Sequence, residues 1–126
     1  MKRVLFVDDE RSVLSVLERG LRPHRDRWTM TFAHGAVEAL ATLELLEIDA
    51  IVTDMRMRGM DGAALLEIVR DQHPDTVRIV LTGEIETARA SRISALAHRL
   101  LSKPSDPEVI MGALDSACPE DAGRYD

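Results

Sequence analysis

Short apolar runs that read as strands and apolar patterns with a helix's period follow one another along this chain in strict alternation. Residues 4–7 are a continuous apolar run, followed by an acidic turn and a helical pattern with Val13, Leu14, Val16, Leu17 and Leu21 on one face, which Pro23 closes. Residues 28–33 alternate as a strand does, and Gly35 leads into a helix carrying Val37, Leu40, Leu43, Leu45 and Leu46. A third, buried-type strand covers 49–53, then a Met-rich loop runs to Gly62 and a helix occupies 63–71. Strand four is expected at 77–81, a weaker helix at 85–94 and a short fifth strand at 99–101. Asp106 is placed to cap the last helix, with Pro107 at its first position, where proline's fixed φ and missing N–H do no harm. Parallel strands need crossover connections that lie on the sheet. The pattern therefore predicts a doubly wound α/β fold, a five-stranded parallel sheet with helices on both faces.

Such a sheet gathers the residues at the C-terminal ends of its strands along one edge, and ligands bind there, where strand order reverses. In this chain those residues are Asp8 and Asp9 after strand one, Asp54 after strand three, Thr82 after strand four and Lys103 after strand five. Three carboxylates brought together repel unless a cation joins them. Hard oxygen ligands in a small acidic pocket suit Mg²⁺, which keeps several waters and recruits phosphate oxygens. The expected chemistry is phosphoryl transfer, with one carboxylate acting as nucleophile to give an acyl phosphate. Asp54, alone at its strand end, is the best candidate. The metal and Lys103 would stabilise charge on the transferring oxygens, and the Thr82 hydroxyl could hydrogen-bond to one of them.

Each residue also has a plainer role open to it. Asp8 or Asp9 could cap the next helix, Thr82 before Gly83 could be another cap, and Lys103 could be a surface lysine. Their joint placement after separate strands is the feature that favours a site.

Composition narrows the classes. A chain of 126 residues, 45% hydrophobic and 30% charged, is the size of one globular domain with a buried core. That domain is expected over residues 1–118, and the polar stretch 119–126 is too short to fold alone. A net charge of -6 argues against direct binding to nucleic acid or anionic lipid, which need a basic surface. No apolar run reaches the roughly 20 residues of a membrane span, and no signal-peptide pattern opens the sequence, so a cytoplasmic location is expected. Cys118 has no second cysteine to pair with and is read as a bystander.

The chain resembles the receiver domain of bacterial two-component response regulators over nearly its whole length. The likeness runs through Val-Leu-Phe-Val-Asp-Asp-Glu at 4–10, Val-Thr-Asp-Met-Arg-Met at 52–57, Gly59-Met60-Asp61-Gly62, Leu81-Thr82-Gly83 and Leu101-Ser102-Lys103-Pro104. The resemblance implies that Asp54 accepts a phosphoryl group from a histidine kinase or phosphotransfer protein. It further implies that Asp8, Asp9 and the backbone carbonyl of Arg56 hold Mg²⁺ with Asp54, that Thr82 is the switch hydroxyl, and that Lys103 contacts the phosphoryl group. A cis bond between Lys103 and Pro104 belongs to the same pattern. So does a protein that catalyses only its own phosphorylation and dephosphorylation, and that controls an output domain or partner by population shift. The output face would be helix four, strand five and helix five. In dimerising receivers that face carries charged pairs, which Arg89, Arg92, Asp106 and Glu108 could supply, and a merely solvated face accounts for them equally well. The segments 97–104 and Leu-Arg-Pro-x-x-Asp-x-Trp near Asp26 are similar to receivers attached to output domains of the HDOD or HD-GYP kind.

Two positions depart from the family's pattern. Arg58 stands where proline is usual, which should loosen the turn, and Leu100 stands where an aromatic usually turns inward on activation. Arg56 and Glu84 should flank the site mouth and could pair across it or point into solvent. Rival readings fit less well. A haloacid-dehalogenase-like phosphatase has its nucleophile after strand one and a second Asp two residues on, where this chain has Glu10. A flavodoxin-like electron carrier needs a phosphate-cradling first loop, which is acidic here, and aromatics, which are 3% of the chain. A pseudo-receiver that binds partners without phosphorylation is the remaining alternative.

Overall fold

The computed structural model describes residues 1–83, 87–103 and 106–118. Five strands, β1 (Lys2–Val7), β2 (Trp28–Ala33), β3 (Ala50–Asp54), β4 (Val77–Thr82) and β5 (Arg99–Ser102), form one parallel sheet in the order β2-β1-β3-β4-β5. Five α-helices connect them and close the chain: α1 (Arg11–Leu21), α2 (Ala36–Leu45), α3 (Gly62–Gln72), α4 (Thr87–Leu96) and α5 (Pro107–Ala117). The doubly wound α/β expectation holds. The two sheet faces carry separate cores, one built with α2, α3 and α4, the other with α1 and α5. Strands covered on both sides lose the in-out alternation, which is why residues 4–7 and 50–52 read as unbroken apolar runs. Phe6 and Phe32 stack across β1 and β2 with ring centroids 5.3 Å apart.

The helix faces differ from the expectation. In α2 the positions turned to the sheet are Ala36, Ala39 and Leu43, with Leu40 partly buried, while Val37 and Leu45 are over 80% exposed and Leu46 lies beyond the helix. Apolar residues surround this helix on all sides, so periodicity could not choose its inner face, and the small alanines take the place close to the sheet. Val16 of α1 likewise faces outward, while Leu14 and Leu21 are buried. Pro23 does not end α1 directly. It sits inside a 3₁₀ turn, Arg22–His24, where a residue without an N–H fits near the start. Asp106 occupies the N-cap of α5 and Pro107 its first turn, but the cap is the Asp106 backbone carbonyl, which accepts from Val109 and Ile110 at 3.0 and 3.1 Å, and its carboxylate makes no capping bond.

One buried charge lies outside the apolar pattern. Arg78, in the middle of β4, is only 9% exposed; its Nε donates to the Leu96 carbonyl at 2.6 Å and its backbone N–H to His98 Nδ1 at 2.9 Å. The guanidinium thus satisfies one of the carbonyls that the end of α4 leaves open. Burial and the neighbouring Arg78 push the His98 pKa below its ordinary value, consistent with a neutral ring accepting at Nδ1.

Candidate functional site

Strand order reverses between β1 and β3, since β2 lies on one side of β1 and all later strands on the other. Asp8 and Asp9 come directly after β1, and Asp54 is the last residue of β3. Their ligand oxygens all lie within 4.8 Å of one another. The register carries this convergence: Val7 pairs with Thr53, and Asp54 with Leu81. Met55 N–H continues the ladder to the Leu81 carbonyl at 3.0 Å, so the strand end that carries Asp54 is held beyond the carboxylate. Thr82, buried, ends β4, and its carbonyl accepts from Lys103 N–H at 2.8 Å. Lys103 Nζ then reaches Asp54 Oδ1 at 2.7 Å. Although exposed, the lysine is engaged at the site. All five residues expected at this edge are there.

The three carboxylates are not equivalent. Asp8 is 3% exposed, and its Oδ1 accepts from Glu10 N–H at 2.9 Å. Burial, helped by repulsion from Asp54 and Asp9, raises its pKa against the pull of that N–H and of Lys103. Asp9 is held the opposite way. Its Oδ2 accepts from Arg58 N–H at 2.9 Å and Arg58 Nε at 3.3 Å, and these bonds lower its pKa. Neither aspartate caps α1, whose N-cap is Glu10 with no side-chain bond.

A hard divalent cation fits this donor set. The oxygens are carboxylate and they converge. The innermost, Asp8, has no cationic side chain bonded to it among the described residues, so a positive charge placed in the cluster would relieve the repulsion. Beside the cluster lies an open depression lined by Asp9, Arg56, Arg58 and Gly59, in which Arg56 is exposed.

The loop over the site is shaped by two glycines. Gly59 has φ of 76°, a backbone region that favours glycine. Gly62 N–H bonds the Met55 carbonyl at 2.8 Å, and Asp61 caps α3 through its side chain to Ala64 N–H at 2.8 Å. Arg58, in the place where proline is usual, bonds Asp9 through a backbone N–H that proline does not have. Leu100 is 38% exposed on edge strand β5. Arg92, exposed, pairs with Glu67 of α3 at 3.5 Å. The Arg56–Glu84 pair, the Lys103–Pro104 bond, the Arg89 side chain and the 119–126 tail lie outside the described residues.

Comparison with known proteins gives a consistent result. The chain is 36% identical to the DNA-binding transcriptional regulator NtrC of Escherichia coli over 115 residues, which is 90% of this chain and 24% of that protein. It is 30% identical to the transcriptional regulatory protein GlrR of E. coli over 125 residues, 98% of this chain and 28% of that one. The chain thus spans about a quarter of the length of these relatives. Among solved structures, the signal receiver domain of an HD domain-containing protein from Pseudomonas fluorescens aligns with a TM-score of 0.85 at 32% identity, covering 92% of this chain and 93% of that one. The chemotaxis protein CheY4 of Vibrio cholerae aligns at 0.83 with 28% identity, covering 93% and 98%. The family model of the response regulator receiver domain matches residues 4–115, and with the acidic cluster and its lysine in place at the switch point the chain belongs to that family.

Proposed function

We propose that this domain is a phosphoacceptor switch in which Asp54 takes a phosphoryl group from a histidine kinase or phosphotransfer protein. The observation that carries this reading is the placement of Asp54, its Oδ1 paired with Lys103 at 2.7 Å and its carboxylate clustered with Asp8 and Asp9. A carboxylate oxygen of Asp54 attacks phosphorus, the bond from phosphorus to the donor breaks, and the donor leaves with that electron pair, giving an acyl phosphate. Lys103 first neutralises the nucleophile's partner oxygen, then faces the phosphoryl oxygens as charge builds on them. Asp8, Asp9, Asp54 and the Arg56 carbonyl would hold Mg²⁺, which when bound supplies positive charge to the phosphoryl oxygens. The buried Thr82 is the switch hydroxyl that takes up a phosphoryl oxygen and transmits the change to α4. In this reading the domain catalyses only its own phosphorylation and dephosphorylation.

The output acts through α4, β5 and α5, where Leu100 and Val109 are 38% and 49% exposed on neighbouring elements, and a homodimer through the same face is part of this reading. The output is an HD-type domain or partner, a reading supported by the P. fluorescens receiver. No helix among the described residues is long and apolar enough to cross a membrane; a cytoplasmic place of action is part of the proposal.

Intact mass after incubation with Mg²⁺ and acetyl phosphate tests the reading. Wild type is expected to gain one phosphoryl group, Asp54→Ala none, and chelation of the metal should abolish the gain; equal labelling of both proteins would contradict it. Lys103→Met is expected to slow labelling by about 10²-fold, the usual loss on deleting a charge-stabilising donor. An unchanged rate in that variant would remove Lys103 from the mechanism.

A further inference from the structure

Arg58 has no part in the phosphoryl-transfer step. Its side chain is 88% exposed, yet its Nε turns back to Asp9 Oδ2 at 3.3 Å, while its backbone N–H holds the same oxygen at 2.9 Å. On the other side of the cluster Lys103 sits at 2.7 Å from Asp54. Two of the three carboxylates therefore each have a cationic side chain from the protein itself. Asp8 differs from them, its carboxylate being held by the Glu10 backbone N–H.

We propose that Arg58 is a built-in counter-ion for Asp9, which a divalent cation has to displace, so that Arg58 sets the metal affinity of the site. The inference rests on the phosphoacceptor reading, because it concerns the same acidic cluster. The backbone N–H and the guanidinium have separable roles. The N–H fixes the rotamer of Asp9 and comes from the loop, whatever non-proline side chain stands at 58. The guanidinium adds charge, and because it is solvent-exposed its attraction is screened by salt. A cation entering between Asp8, Asp9 and Asp54 meets a carboxylate already aimed by the N–H but partly neutralised by the side chain. The pair is therefore weak enough to yield to a divalent ion, and strong enough to offset repulsion while none is bound. Arg58 is thus a positioning and affinity-setting residue, with no contact to the reacting atoms.

Isothermal titration of Mg²⁺ into wild type, Arg58→Ala, Arg58→Pro, Asp8→Asn and Asp9→Asn tests this without any phosphoryl donor. Arg58→Ala keeps the N–H and loses the charge, and is expected to bind Mg²⁺ about threefold more tightly at low salt, in line with the strength of exposed ion pairs. The gain should shrink at high salt and vanish when Asp9 is already Asn. Arg58→Pro loses both bonds and should bind more weakly than Arg58→Ala. Equal or weaker binding by Arg58→Ala overturns the proposal while leaving the metal site intact, provided wild type binds and Asp8→Asn does not. Absence of binding by folded wild type overturns the metal site itself, and the proposal with it.

Discussion

Gly62→Ala is expected to be the most destabilising single-methyl addition at the site, costing at least about 3 kcal/mol, which lowers Tm by roughly 10 °C in a domain of this size. A Cβ at position 62 would run into the Asp54 carbonyl oxygen and stand 3.0 Å from Met55 Cα. Both are backbone atoms, so no rotamer change relieves the clash. The start of α3 would have to move away from the end of β3, breaking the Gly62 to Met55 hydrogen bond of 2.8 Å and displacing the strand end that carries Asp54. The effect should therefore appear both in thermal unfolding and in a slower phosphoryl uptake by Asp54. A wild-type Tm would mean that the close approach is relaxed by a small shift and constrains nothing.

Asp8→Asn is expected to act in the opposite direction on stability. The ionised Asp8 carboxylate is buried among like charges, and an Asn carbonyl can still accept from Glu10 N–H. The variant should be more stable than wild type without metal, by about 1 kcal/mol, the common gain when a strained functional group is neutralised. The raised pKa sets the pH dependence. An acid shifted up from its ordinary 3.8 contributes stability that is complete below that value and is lost as pH rises through the folded-state pKa. Wild type and variant should thus have similar Tm in acid and diverge as pH rises to neutrality, when measured in chelator. Mg²⁺ should reverse the order by stabilising wild type alone. If the variant is less stable than wild type in chelator at neutral pH, burial of Asp8 is not a cost to the fold.

Most of the architecture is legible in the sequence because the three central strands, covered on both faces, leave apolar runs, and because turn residues separate the strands from helical patterns. The site is legible for the same reason: once the strands are located, the residues at their C-terminal ends are located too, and Asp8, Asp9, Asp54, Thr82 and Lys103 all stand at such ends. Periodicity could not supply the orientation of α2, whose Val37 and Leu45 are as apolar as the Leu43 that is buried. Arg78 gives no signal in sequence because its role depends on the Leu96 carbonyl, which only the tertiary fold brings near β4. The same holds for Arg58. Its departure from the usual proline is visible in the sequence, but its bond to Asp9 joins residues 49 apart and is not.

The central claim is that Asp54 becomes an acyl phosphate. The most direct test treats the protein with acetyl phosphate and Mg²⁺, reduces the product with borohydride, and maps the modified residue by peptide mass. Conversion of Asp54 to homoserine, dependent on Mg²⁺ and absent in Asp54→Asn, is the predicted result. Conversion at another carboxylate, with Asp54 untouched in a folded, metal-binding protein, would contradict the account.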